Sequence, residues 1–442
     1  MFSAILTRFL AIARNDSVKI KLNIMQKNFL ISILIIFSLN LSAQTWQTKI
    51  YDKNVRTLQV FPDGKPLDMA VIRLNSDEKI RISFDEMTFS PKSYNYKIVH
   101  CNSDFTQSPL TQSEYISGFA SGSVSDFALS ENTLTLYTNY IFTLPENDFS
   151  FKVSGNYAVI IAEDNNFDKI AAVACFSVVE DIVKIDVNVT ANTDIEFSGR
   201  YQQVEMTIDN SNFPISNVFS ELKVNVQQNR RTDNAAFDVK PAFTATFKQT
   251  YKNNRALIFE GGNQYRTIDF ASEYVFSGEI DKIETRNNEY YNVFLMPANY
   301  RNRNSSPTAG GDADGRFQIN RQRSDDVDIN ADYMWVHFIL PAETPFLDGD
   351  IYILGDLTNN LFDQNSKMVY DAQKKIYHKA LFLKQGGYSF MYAFLPRNSK
   401  EATLQKIEGS FWQTQNEYSV MVYHRAFGER YDRLIGFWVG SN

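Results

Sequence analysis

The chain has 442 residues, 44% of them apolar and 21% charged, with a net charge of −7. That apolar share builds ordinary cores and excludes a disordered chain, while the acidic balance argues against nucleic acid or an anionic membrane surface as a partner. Aromatic residues reach 14%, carried by 35 Phe and 23 Tyr, a composition that suits pleated sheets and protein interfaces.

At the start of the chain, Lys27 opens a short charged region, Phe29 to Leu39 is apolar, and Leu41-Ser42-Ala43 ahead of Gln44 has the form of a cleavage site. Residues 1–43 therefore read as a signal-peptide region, with Met25 as an alternative initiator and Gln44 as the first mature residue. The apolar stretch is about eleven residues, short of the roughly twenty a spanning helix needs. Export without direct membrane insertion is expected.

From 44 to 180 short alternating runs dominate. Tyr94, Tyr96 and Ile98 line one face of a strand, Leu134 and Leu136 another, and Ile170 to Val179 is continuously apolar. The one helix expected here is a turn or two at Thr111 to Ile116. A second domain, 181–328, opens with IVKIDVNVT, carries the alternating Leu222, Val224 and Val226, and ends in NYRNRNSSPTAGGDADGR, which has linker composition. The basic residues Arg301, Arg303, Arg316, Arg321 and Arg323, answered by Asp325, Asp326 and Asp328, read as a solvated linker.

The third domain, 329–442, begins with a strand at Trp335 to Leu340, continues through DGDIYILGDLTNN, and has a hairpin-like pair at Leu381 to Phe394 around Gly386 and Gly387. It is similar to the immunoglobulin-like modules of glycogen- and starch-binding proteins. Those place a Trp soon after the Gly-Asp turn, whereas Gly355-Asp356 is followed here by Leu357, Thr358, Asn359, Asn360 and Leu361, so no platform for a sugar ring stands at that point. The last strand pattern, Tyr418 to Arg425, runs into a turn at Gly428 with Glu429, Arg430, Asp432 and Arg433 around Tyr431. The whole reads as all-β, with tandem immunoglobulin-like β-sandwich domains and very little helix.

Catalytic chemistry finds little support. His100, His337, His378 and His424 lack metal-ligand spacing, and His100 and Cys101, adjacent in a strand, point to opposite faces. GGDADGRF at 310 to 317 has the Asp-x-Asp-Gly core of a calcium loop but lacks the third oxygen ligand and the closing Glu. Cys101 and Cys175 are free to pair after export, and nothing in their spacing requires it. No cofactor, metal or small-molecule substrate is expected. The residues suited to binding are Arg230, Arg231, Asp233 and Asn234 after a strand, and Trp412, Arg425, Arg430, Tyr431 and Arg433 near the end, since Trp, Tyr and Arg dominate binding hot spots.

HCNSDF at 100 to 105, Tyr-Thr-Asn-Tyr at 137 to 140 followed by LPEND, SGNY at 154 to 157, QQNRRTDNA at 227 to 235, GGNQYRTIDF at 261 to 270, LKQGGYSFMYAF at 383 to 394 and the closing EGSFWQTQNEYSVMVYHRAFGERYDRLIG stand in the order of one family. In this series the chain resembles the plug proteins of the Bacteroidetes type IX secretion system. The resemblance implies a non-enzymatic periplasmic protein that binds and closes an outer-membrane translocon barrel from its periplasmic side. A secreted or surface carbohydrate-binding protein is the alternative, and an outer-membrane β-barrel would need longer strands with lipid-facing bands.

Overall fold

The computed structural model describes residues 44–146, 149–197, 199–286, 289–302 and 312–442. The expected signal region 1–43, Met25, Arg303 and the first two glycines of GGDADGRF lie outside the described residues. The fold is all-β. Helix among the described residues is confined to Gln112–Tyr115, Val218–Glu221 and Val327–Asn330 with two single 3₁₀ turns. The first of these helices falls within the expected Thr111 to Ile116, with the Glu114 carboxylate accepting the Thr111 N–H at 2.7 Å.

The first sandwich packs a sheet ordered Lys49–Ile50, Ile170–Val179, Gly155–Glu163, Tyr94–Cys101, Ser121–Val124, with Val71–Arg73 added in parallel to Ile170–Val179, on a sheet ordered Val55–Pro62, Ile80–Glu86, Thr138–Leu144, Asp126–Leu129. Between them lie Phe84, Tyr94 and Tyr140, a cluster of rings with centroids 5.0–5.1 Å apart. Each buried ring removes on the order of 150–250 Å² from water, worth several kcal/mol before entropy is charged against it. Leu134 and Leu136 are not in a strand: they are exposed in a loop whose Leu134 and Thr135 N–H groups donate to the Asp332 carboxylate at 2.6 and 3.0 Å. That carboxylate replaces the ladder a neighbouring strand would have supplied.

The remaining chain divides differently from the expected cut at 328/329. Lys184–Thr190, Tyr201–Asp209, Lys248–Tyr251, Phe243–Ala245 and Ile258–Glu260 form one sheet of the second sandwich, and its opposite sheet is Leu222–Gln228 paired with the C-terminal hairpin Glu417–His424 and Arg433–Ser441. Val204, Met206 and Ile208 meet Val420, Val422 and Ile435 in its core. The third sandwich is inserted between these halves. It takes Arg266–Asp269, Ile280–Arg286 and Tyr290–Leu295 from before residue 328 and pairs them with Gly386–Pro396 and Tyr333–Pro341. Local composition marks a polar loop, whereas sheet membership depends on partners far away in sequence.

Leu381 to Phe394 is likewise not a hairpin. Ile376–Lys384 pairs with Tyr333–Pro341 in one sheet, and Gly386–Pro396 pairs with Gly349–Leu354, Arg266–Asp269 and Phe317–Ile319 in the other. The chain crosses between sheets at Gln385, whose neighbour Gly386 runs so close to the Gln318 carbonyl that a Cβ has no room.

Candidate functional site

The C-terminal turn, which sequence reading put forward for binding, is fastened to the first sandwich. Gly428, at φ +88, lets the chain reverse. On either side of it the charged residues turn back to the body. Arg425 donates to Asn102 Oδ1 at 2.6 Å and lies 2.8 Å from Asp432. The Asp432 carboxylate is fully buried, accepting the Ser103 N–H at 2.9 Å and the Lys223 ammonium at 3.1 Å. Burial alone would raise its carboxyl, yet the Ser103 N–H, Lys223 and Arg425 together hold it below the usual carboxylate range. Tyr431 meets His100 edge to face at 5.4 Å, Arg430 pairs with Glu114, and Arg433 forks onto Glu180 at 2.7 and 3.1 Å.

What is left standing out of this turn is Phe427, 102% exposed. Sequence reading named its charged neighbours and passed over it. The signal was there: an aromatic between Ala426 and Gly428 at the tip of a hairpin has no strand neighbour to cover it.

Arg230 and Arg231 separate. Arg231 is 2% exposed and held bidentately by Asp233 at 2.7 and 3.0 Å, with the Ala402 carbonyl at 2.9 Å. It is a structural ion pair, closed to a partner, because a guanidinium in that setting is stable only with its donors satisfied. Asn234 donates to Gln228 Oε1 at 3.1 Å. Arg230 instead joins a junction of all three sandwiches, donating to the Leu67 carbonyl at 2.6 Å and to Glu417 at 3.4 Å. Arg316 reaches the same two acceptors, each at 2.8 Å.

The solvated-linker reading of the basic run is thus corrected for Arg316, and also for Arg301, which donates to buried Glu408 at 2.7 Å, and Arg321, which donates to the Asn132 carbonyl at 3.0 Å. Next to Arg316, Asp314 is pushed up to about 6, first by burial and then by Asp312. Asp312 itself accepts the Tyr265 and Asp314 N–H groups, both at 2.7 Å, so the Asp-x-Asp-Gly segment is a turn built on its own backbone. No group of side chains able to hold a metal ion occurs among the described residues.

Most of the other motifs meet in the same way. Asn102 and Ser103 of HCNSDF hold the C-terminal turn, Ser154 of SGNY donates to Glu180 at 2.6 Å, Arg266 of GGNQYRTIDF pairs with Glu408 at 3.0 Å, and Lys384 reaches Asp85. Trp412 is 37% exposed with its carbonyl accepting Gln202 Nε2 at 2.7 Å. Trp335, also 37% exposed, lies 4.8 Å from Phe382 on the outer face of the third sandwich. Phe427 is thus one of several exposed aromatic side chains, with Phe119, Phe197, Phe243 and Tyr274 also more exposed than either Trp.

Residues 55–180 match the family model described as the type 9 secretion system plug protein 1st domain. A search among curated proteins finds no match. Among solved structures, a hypothetical protein from Parabacteroides merdae ATCC 43184 is 42% identical, with a TM-score of 0.88 over 90% of this chain and 100% of that one. An alkylpurine DNA glycosylase from Pseudomonas fluorescens, bound to DNA containing an abasic site analog, matches at 15% identity over 28% of this chain and 30% of that one, with a TM-score of 0.15 that carries no argument. The match over residues 55–180 is to a type 9 secretion system plug protein 1st domain, and through it the chain resembles the plug family of that system.

Proposed function

We propose that this protein is a non-catalytic periplasmic plug that binds the outer-membrane translocon barrel of the type IX secretion system and closes its periplasmic end. The observation that carries the reading is the family match over residues 55–180. The structure supports it physically. Closing a wide pore calls for a body that keeps its shape under contact, and here the buried Lys384–Asp85 pair joins the third sandwich to the first while Arg316–Glu417 joins the third to the second. No helix among the described residues is long and apolar enough to cross a membrane. The contact would be polar-rimmed with aromatic anchors, suited to an interface that forms and breaks.

Affinity purification of the tagged protein from its native envelope tests this. Recovery of a very large barrel subunit in stoichiometric amount is the expected result. Recovery of the protein alone, or with glycan only, sinks the reading. The carbohydrate-binding alternative keeps one observation in its favour, the adjacent Trp335 and Phe382 rings, and glycan recovery lost on Trp335→Ala would establish it.

A further inference from the structure

Where the three sandwiches meet, a cleft of about 270 Å³ opens between Val55–Pro62, the loop at 66–71, Ile170–Val179 and the turn at 356–361. It is separate from the C-terminal turn. Its walls are largely apolar, and two of them carry Met69 and Met421, unbranched side chains that adapt to differing shapes. The volume is below the ~300–1,000 Å³ of sites that engulf whole drug-sized molecules. It is enough for one aromatic or branched aliphatic side chain.

Two observations bear on what such a side chain would be attached to. Trp46 and Asn360 both line the cleft, are 6% and 8% exposed, and each has a buried polar atom without a partner among the described residues: the Trp46 indole N–H and Asn360 Oδ1. The backbone N–H groups of both residues and the Asn360 amide nitrogen are paired. The Trp46 N–H donates to the Phe105 carbonyl at 3.0 Å, and Asn360 Nδ2 donates to Asp356 at 2.8 Å. A buried donor and a buried acceptor left over at one site cost roughly 1–3 kcal/mol each, a cost that a ligand offering one acceptor and one donor removes.

A peptide group offers one of each on a rigid unit. The third observation concerns the wall itself. Val55–Pro62 is the edge strand of its sheet, hydrogen-bonded on one side only, and its residues Gln59 to Phe61 line the cleft. A free strand edge is a ready template for an added extended segment.

From these we infer that the cleft is a receptor for an extended polypeptide segment of a partner protein, one bulky apolar side chain seated in the cavity and one flanking peptide group paired with Trp46 and Asn360. The inference is independent of whether the protein closes a barrel. It assigns a binding site to the junction itself, which the C-terminal surface does not supply.

The probe is a fluorescein-labelled short peptide alternating threonine and phenylalanine, titrated against the purified protein by anisotropy, with a threonine and asparagine peptide as control. Saturable binding of the first is expected, at least about tenfold tighter than the control. Trp46→Phe, which removes only the indole donor, and Thr232→Trp, which fills the mouth from an exposed position, should each weaken it by about tenfold. Thermal melting of both variants establishes that they are folded. Equal affinity for the two peptides, or unchanged binding to both variants, overturns the proposal. So does saturable uptake of the apolar dye anilinonaphthalene sulfonate that the phenylalanine peptide fails to compete away.

Discussion

Lys384 Nζ lies 2.7 Å from Asp85 Oδ2, the ammonium 2% and the carboxylate 1% exposed, joining the third sandwich to the first. The same carboxylate accepts the Tyr333 hydroxyl at 2.6 Å and Asn139 Nδ2 at 2.7 Å, and the ammonium sits 4.3 Å from the Tyr137 ring. Tyr333, Asn139 and Tyr137 are themselves buried, and the ammonium also donates to the carbonyl of partly exposed Asp328 at 2.5 Å. A charge in that position is tolerable only while its counter-charge remains.

Lys384→Met should therefore lower the unfolding free energy by about 3–5 kcal/mol, and Asp85→Leu added to it should recover part of that loss. Urea unfolding of the single and double variants measures both. Equal stability of Lys384→Met and wild type would show that the pair does not hold the joint.

His100 gives the protein an acid-side weakness. Its Nε2 lies 3.1 Å from the Ser154 carbonyl and must donate, while Nδ1 lies 2.8 Å from the Ser108 hydroxyl and accepts, which is the neutral ring. Burial lowers it to about 4, with Asp432 pulling upward and Arg425 downward. A folded value below the unfolded one means the unfolded chain takes the proton first, so this contribution is intact above pH ~6.5 and is lost as pH falls toward 4. His100→Gln should lose up to about 3 kcal/mol less than wild type between pH 7 and pH 4.5, measured by urea unfolding at the two values.

Cutting the chain at residue 328 should leave neither half folded. Leu222–Gln228 pairs over its whole length with Glu417–His424, and Tyr290–Leu295 pairs with Tyr333–Pro341. A fragment of residues 44–328 is expected to be insoluble or to lack a cooperative thermal transition, and co-expression with residues 329–442 to restore both. An independently folded 44–328 fragment would contradict the strand exchange.

Cys101 and Cys175 should remain thiols even under oxidising conditions. They lie on one face of a sheet on strands that flank Gly155–Glu163, opposite Asn156 and Ala158 respectively. Two strand spacings across the sheet and two residues along it put them roughly 12 Å apart, beyond the reach of a disulfide. Burial pushes the Cys101 thiol up to about 12 and raises that of Cys175 as well. Thiol titration should find buried Cys101 only after unfolding and partly exposed Cys175 before it, and reductant should leave the melting temperature unchanged.

Phe427→Ala removes an exposed ring from a turn pinned on both sides, and stability should stay within about 0.5 kcal/mol of wild type. If this turn is an anchor of the proposed barrel contact, recovery of the barrel in the pull-down should fall by about tenfold or more. Full recovery with Phe427→Ala would move the contact elsewhere on the body.

Much of this architecture was legible in the residues because sandwich patterning is local. Alternation placed the strand Tyr94–Cys101, a continuous apolar run placed Ile170–Val179, and the short helix fell within the expected Thr111 to Ile116. The motifs that identified the family were equally visible, though their purpose was not. Asn102, Ser103, Arg266 and Lys384 are of types that mostly face solvent, yet each is tied to a partner distant in sequence. A charged side chain in a Gly- and Asn-rich stretch is ordinarily solvated, so only the approach of Glu408 and Glu417 from over a hundred residues away reveals that Arg301 and Arg316 are internal ties.

The alternation of side chains along single strands was enough to determine an all-β body, since that period is written within a few consecutive residues. Which strands share a sheet was decided in three dimensions. The hairpin from Glu417 to Ser441 could have covered the third sandwich by its composition alone, yet it completes the second. Its apolar face found the core left open by Val204, Met206 and Ile208, and its turn found Ser103 and Asn102, contacts whose energy depends on distance in space and leaves no mark in the spacing of residues along the chain.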